Sequence, residues 1–183
     1  MVNKILANNL IFDREKATLL LNISAEDYAF HDVEKFAKQK KLLRKKEFHI
    51  TLIGRETGET ITEKIKNASS AEQEKILSKI QETSAGFSWN YSFLKEYYFI
   101  SKTYYEDKEN EERQSVIQLF SLPDLIPFYK RLNHILGNIF EIPFPHLTLF
   151  TNSTREDKKL RGIGIYSEKQ FYSLKPMKIE PEI

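Results

Sequence analysis

Two histidines in this 183-residue chain are each followed, two places on, by a threonine within an apolar run: FHITLIG at 48–54 and PFPHLTLF at 143–150. These residue types suit phosphoryl chemistry. An imidazole, with an ordinary pKa of about 6.5, accepts or donates a proton near neutrality. A threonine hydroxyl donates a hydrogen bond to a non-bridging phosphate oxygen, where charge must be held through the transition state. Residues two apart on a strand share a face. His49 therefore stands with Thr51 and His146 with Thr148, while Ile50, Leu52, Leu147 and Leu149 point the other way. Two such strands facing each other present two imidazoles and two hydroxyls to one small group: one histidine takes a proton from water, the other gives one to the leaving oxygen. The scheme requires no metal, and no carboxylate-rich metal motif adjoins either histidine. The same parity puts Phe150 beside His146 and Thr148, as a candidate contact to a base or ribose, and Ile53 at the matching place in the first motif. Core histidines bonded to a neighbour explain either motif alone; the recurrence of the whole pattern favours a shared site.

The elements that must position these motifs are legible as hydrophobic periodicity. ATLLLNI at 17–23 has the length of a buried strand. Asp32 then caps a predicted helix over DVEKFAKQKKLLRKK, with Val33, Phe36, Ala37 and Leu43 on its apolar stripe. FHITLIG follows as a strand ended by Gly54. From Gly58 to Gly86 the pattern is helical, with Ile61, Ile65, Ala68, Ile76, Leu77 and Ile80 inward and a possible break at 69–74. FSWNYSFLKEYYFISKTYY at 87–105 reads as one or two strands, EDKENEE at 106–112 as a solvated turn, and RQSVIQLFS as the returning strand. Ser121, Pro123 and Asp124 open the next helix, whose buried face is Leu125, Tyr129, Leu132, Leu136 and Ile139. PFPHLTLF and RGIGIYS are predicted strands. This order implies an α+β protein, with antiparallel sheet and helices outside it.

Composition narrows the classes. A net charge of +2, 40% hydrophobic and 30% charged residues describe an ordinary globular chain rather than one that wraps nucleic acid by charge alone. Without cysteine there are no disulfides, thiolate nucleophiles or cysteine-ligated zinc. The opening MVNKILANNLIFDREK offers no signal-peptide core and no run reaches the length of a membrane span, so a cytoplasmic protein without membrane association is expected.

The doubled H-x-T-hydrophobic pattern, His49 to Leu52 and His146 to Leu149, resembles the signature of the 2H phosphoesterases, which include the RNA ligase-like 2′,3′-cyclic nucleotide phosphodiesterases. The resemblance covers most of the chain: an opening strand, a helix leading into the first motif and a late helix, FYKRLNHIL, leading into the second. It implies that residues 1–183 form a single bilobal domain with pseudo-symmetric lobes, antiparallel sheets lining a central cleft and helices outside. By that likeness His49 and His146 are the acid–base pair, Thr51 and Thr148 the phosphate clamps, no cofactor is needed, and the substrate is a 2′,3′-cyclic phosphate on a nucleotide or RNA end. No protein partner is implied, and a monomer is expected. Alternatives in the same site are 2′–5′ RNA ligation and cleavage of an ADP-ribose-derived cyclic phosphate; a binding module for phosphorylated RNA ends stands beside them. Some members carry an aromatic hydroxyl three places after the second clamp, where this chain has Thr151.

Other candidates have simpler explanations. His134 falls on the polar stripe of its helix, and His31 precedes a helix start; both read as surface residues. The run Lys35, Lys38, Lys40, Lys41, Arg44, Lys45 and Lys46 reads first as a solvated helix face and second as a steering patch for an anionic substrate. Trp89, Tyr91, Phe93, Tyr97, Tyr98 and Phe99 read first as core and second as a stacking platform.

Overall fold

The computed structural model describes residues 9–24, 31–106 and 109–180, with the side chains of His31, Glu106 and Glu109 left aside. Thus residues 1–8 of the N-terminal reading, and the side chain on which the surface reading of His31 rests, lie outside the described residues. Among the described residues, eight strands form two antiparallel sheets. One has the order β1-β2-β4: β1 is Leu10–Asp13, β2 Thr18–Ile23 and β4 Phe48–Ile53. The other has the order β3-β7-β6-β5-β8: β3 is Leu43–Arg44, β5 Ser92–Glu106, β6 Glu109–Ser121, β7 His146–Ser153 and β8 Met177–Ile179. Helices α1 (His31–Gln39), α2 (Arg55–Ile65), α3 (Ser70–Ala85), α4 (Leu125–Leu136) and α5 (Glu168–Ser173) connect them. The expected α+β class with antiparallel sheet is therefore present. Among the described residues no helix is long and apolar enough to cross a membrane.

A single buried cluster joins the two sheets: Leu19 and Leu21 of β2, Ile50 and Leu52 of β4, Val116 of β6 and Leu147 and Leu149 of β7 pack with Val33, Ile61, Ile80, Phe128 and Leu132 from the helices. Each strand contributes its apolar parity to this cluster, so its polar parity must face elsewhere. On the other face of the five-stranded sheet a smaller cluster, Ile100, Ile117, Leu119, Ile163, Ile165 and Phe171, seats the segment after β7. The break between α2 and α3 is a capping box, in which Ser69 accepts from the Glu72 amide and the Glu72 carboxylate accepts from the Ser69 amide.

Four local expectations change. Helix α1 stops at Gln39, and Leu43 leaves its predicted stripe for β3, pairing with Thr151 and standing exposed. Helix α4 ends at Leu136 because Gly137 adopts the left-handed conformation (φ 57°), which leaves Ile139 in solvent. RGIGIYS forms no strand: it runs as irregular chain, anchored by Ile163 and Ile165.

The acidic stretch 106–112, expected as a solvated turn, is largely strand: β5 and β6 pair out to Glu106 opposite Glu109. Glu111 is the reason. Its carboxylate is buried and takes two hydrogen bonds from Arg113, at 2.5 and 2.8 Å, and one from Ser153 Oγ at 2.7 Å, with Lys158 Nζ at 3.3 Å. The Arg113 guanidinium, with help from Ser153 and Lys158, holds this carboxyl well below its usual range, at about 2, against the opposing effect of burial. Its stabilising contribution is thus complete above about pH 4.5 and is lost as pH falls towards 2. Glu111→Gln leaves a buried guanidinium without its counter-charge and is expected to lower unfolding free energy by about 3–5 kcal/mol in urea titration at neutral pH. A change below 1 kcal/mol would show that the network is dispensable.

Candidate active site

Both motifs emerge on strands whose neighbours dictate the direction of the polar side chains. In β4 the burial alternates, with Phe48, Ile50 and Leu52 inside and His49 and Thr51 half-buried. In β7 Leu147 and Leu149 are inside and His146 and Thr148 half-buried. All four polar side chains line one cavity of about 600 Å³.

Each strand departs from regular pairing at the same place. On β4, Thr51 and Ile53 lie opposite the successive residues Leu20 and Leu19, making Leu52 an extra residue. On β7, Thr148 and Phe150 lie opposite Ile117 and Val116, making Leu149 the extra residue. Both are β-bulges, and a bulge inverts the side-chain alternation beyond it. This corrects the reading of Phe150: the bulge turns it away from His146 and Thr148, and it is buried in the main core, outside the cavity lining. Ile53 is turned inward in the same way. Thr151 takes the polar face instead. It is fully buried, shares a 3.1 Å hydrogen bond with Ser115 Oγ, and its hydroxyl lies 3.0 Å from the carbonyls of Gln114 and Arg161. Where an aromatic hydroxyl was a possibility, threonine thus ties β7 to the chain that follows it.

The carbonyl of each bulged residue is captured by the chain leading to the other motif. Leu149 O accepts from the Lys45 amide at 2.9 Å, and Leu52 O accepts from the Tyr129 hydroxyl of α4 at 2.9 Å. A buried carbonyl left without a donor costs about 1–3 kcal/mol, so these bonds hold the two strands in relation to each other as well as satisfying the bulges.

The chain leading into β4 extends the first wall backwards, since Lys45 and Glu47 line the cavity together with His49 and Thr51. Of the basic run, Lys35, Lys38, Lys40, Lys41, Arg44 and Lys46 are exposed, as a solvated face requires, whereas Lys45 is half-buried and its ammonium donates to Leu160 O at 2.8 Å. Burial lowers the pKa of Lys45, with Glu47 opposing. Burial is also the main cause that lowers His49, assisted by the Lys45 charge and opposed by Glu47. His146 is lowered by burial too; its bond to Phe144 O opposes this and the proximity of His49 adds to it. That bond, Nδ1 to Phe144 O at 2.7 Å, places the proton on Nδ1, because a carbonyl only accepts, and leaves Nε2 for the cavity.

The remaining walls come from residues that periodicity did not single out. Helix α2 begins immediately after β4, so Gly54, Arg55, Glu56 and Thr57 bring its first-turn amides to the rim. The segment 161–166 closes the opposite side, and its glycines allow close approach: a Cβ on Gly162 would stand 3.1 Å from Thr148 Oγ1, and one on Gly164 only 2.7 Å from the Tyr166 hydroxyl. Lys102, Tyr104 and Arg113 complete the lining from β5 and β6. Strand alternation starting from Ile100 and Ile117 could have marked these three as facing the same side as Thr148. By contrast, Trp89, Tyr91 and Tyr97 are core residues, with Trp89 packed edge-on to Phe128 at 5.2 Å, and none of the proposed stacking aromatics lines the cavity. His134 is exposed and distant from the lining.

Five cationic and three acidic side chains line the cavity, a balance suited to an anion, and the Arg55 guanidinium is already engaged by Glu59 at 2.7 Å. Among the described residues no group of three or more His, Cys, Asp or Glu side chains is placed to share a metal ion. No family model, curated protein or solved structure matches the chain.

The shared burial gives an activity-independent expectation. In a histidine-selective NMR titration, His49 and His146 should both show midpoints below 6.5, the ordinary value for imidazole. A midpoint above 6.5 for either would mean that its desolvation is outweighed by a counter-charge.

Proposed function

We propose that this chain is a 2H-type phosphodiesterase that hydrolyses a 2′,3′-cyclic phosphate on a nucleotide or RNA end. The observation that carries the reading is the convergence of both histidine–threonine pairs on one cavity, each pair on a strand bulged at the residue after its threonine. In this reading the repeated device reflects two pseudo-symmetric lobes, one per motif, flanking a central cleft.

The surroundings favour a division of labour between the imidazoles. Protonation of His49 is opposed by Lys45, which suits a base. A carbonyl at Nδ1 supports the charged form of His146, which suits an acid. Water attacks phosphorus as His49 takes its proton; the bond from phosphorus to one ribose oxygen breaks, and that oxygen takes the proton of His146. Thr51 and Thr148 donate to the non-bridging oxygens throughout, with the first turn of α2 adding positive potential at the rim. Proton exchange with water then restores both histidines.

The decisive assay is hydrolysis of the four nucleoside 2′,3′-cyclic monophosphates in the presence of a chelator. Turnover is expected with wild type and a loss on the order of 10²- to 10⁴-fold in His49→Ala and in His146→Ala. Thr51→Val and Thr148→Val should each cost roughly 10- to 1000-fold. Full activity in either histidine variant would remove the two-histidine mechanism.

The pH profile follows from the same shifts. One histidine must be neutral and the other protonated, so kcat/KM peaks midway between their two pKa values. Both are lowered, so the maximum should lie below pH 6.5 and the rate should fall on the alkaline side. A maximum at pH 7.5 or above would contradict the assignment.

A further inference from the structure

The cavity extends well beyond the histidines and threonines. Ile117 stands opposite Thr148; four residues away along β6 is Arg113, with Lys102 opposite it on β5. At the rise of a strand this is roughly 13 Å, beyond the reach of a phosphate held by Thr148. Tyr104, two places past Lys102 on the same face, lies against both cations: Lys102 Nζ is 4.8 Å and the Arg113 guanidinium carbon 4.1 Å from its ring centre. From the opposite wall comes Tyr166, a half-buried ring that spans from Gly54, beside Thr51, to Gly164, against which its hydroxyl packs. The Tyr104 hydroxyl meets the backbone of that same glycine. Arg161 stands exposed in the cavity lining and also borders a second hollow, of about 520 Å³, that continues past Arg55 to Lys16. Neither Lys102 nor Arg161 has a carboxylate partner among the described residues, although both face the cavity.

Aromatic rings with a lysine that lacks a carboxylate partner, on a wall leading away from the reacting phosphate, are what a second nucleotide unit requires: a π-face for a base and positive charge for the linking phosphate. Resting on the phosphodiesterase reading above, we propose that Lys102, Tyr104, Arg161 and Tyr166 form a second subsite. It takes the phosphate and base of the nucleotide preceding the cyclic end, so that the preferred substrate is an oligonucleotide terminus rather than a free cyclic mononucleotide. The sheet holds Lys102 and Tyr104, the 161–166 segment supplies the other two, and the second hollow leaves a path for further chain.

The test compares adenosine 2′,3′-cyclic phosphate with the dinucleotide ApA bearing a 2′,3′-cyclic phosphate, using wild type, Lys102→Met and the exposed loop variant Arg161→Gln. Wild type is expected to prefer the dinucleotide in kcat/KM by roughly 10- to 100-fold, and each substitution to cut that preference severalfold or more. Equal kcat/KM values in wild type, or a preference that survives both substitutions, overturns the subsite. Calorimetric binding of the non-reacting ligands ApA 3′-phosphate and adenosine 3′-phosphate separates this proposal from the catalytic one. If neither cyclic substrate turns over, the phosphodiesterase reading fails. The subsite then stands if the dinucleotide still binds more tightly by a margin that both substitutions reduce, and falls if the two ligands bind alike.

Discussion

The site depends on two inserted residues, Leu52 and Leu149. A regular strand would keep Ile53 in step with Thr51 and Phe150 in step with Thr148, putting two large apolar side chains on the polar face of the cavity. Each bulge instead returns the next residue to the core after two polar positions have been exposed. The cost of a bulge is a carbonyl out of register. Here the Lys45 amide satisfies one and the Tyr129 hydroxyl the other, each from the chain approaching the opposite motif. The irregularities that free the cavity are thereby the points at which the two strands are tied.

The same partly desolvated wall governs the electrostatics. Lys45, Glu47, His49 and Thr51 all line one cavity, so the first imidazole has a cation and an anion near it from the chain leading into its strand. Glu47 moderates what Lys45 and burial do, and the result is a histidine held towards its neutral form. His146 reaches a similar state by another route, through deeper burial offset by a carbonyl. An arriving phosphate dianion or monoanion would favour protonation of both, and the two environments would respond unequally, since only one already carries a neighbouring ammonium. Unequal response is what separates a base from an acid in a pair of like groups.

Much of this was legible in the chain, and the exceptions have physical causes. The alternation around His49 and His146 puts each imidazole with its own hydroxyl on one strand face, because strand parity is strict over three residues; that both faces line one cavity comes from the packing of β4 and β7. It failed for Phe150, one bulge further on, where nothing in LTLF distinguishes a bulged leucine from a paired one. The apolar helical faces were found, but Leu43 and Ile139 were assigned to helices that end before them. The lysine-rich extension of α1 is cut short when β3 finds a partner in β7, a contact more than a hundred residues away. The acidic run reads as a solvated turn because its charge is visible in the sequence and the network of Glu111 with Arg113, Ser153 and Lys158 is not. Arg113 lies only two places on, but Ser153 and Lys158 come from β7 and the chain beyond it, and contacts of that range have no local signature.

The segment 161–166 shows how rigid chemistry and variable recognition divide between elements. The histidines and threonines stand on strands, where the backbone is fixed by ladders on the β2 and β6 sides. Arg161, Gly162, Gly164 and Tyr166 stand on irregular chain, yet that chain is not loose: Ile163 and Ile165 are buried, Thr151 reaches the Arg161 carbonyl, and the Tyr166 amide donates to Gln170 Oε1 at 2.6 Å. Alternating anchors and small residues give it the in-and-out pattern of a strand without a strand's partner. Its backbone can therefore approach Thr148 closely while its side chains remain free of ladder constraints. Substitutions there would change what the cavity accepts before they disturbed the four groups proposed for catalysis. Ligand choice in this chain is thus expected to follow the loop and the β5–β6 hairpin, whereas reaction type follows the two bulged strands.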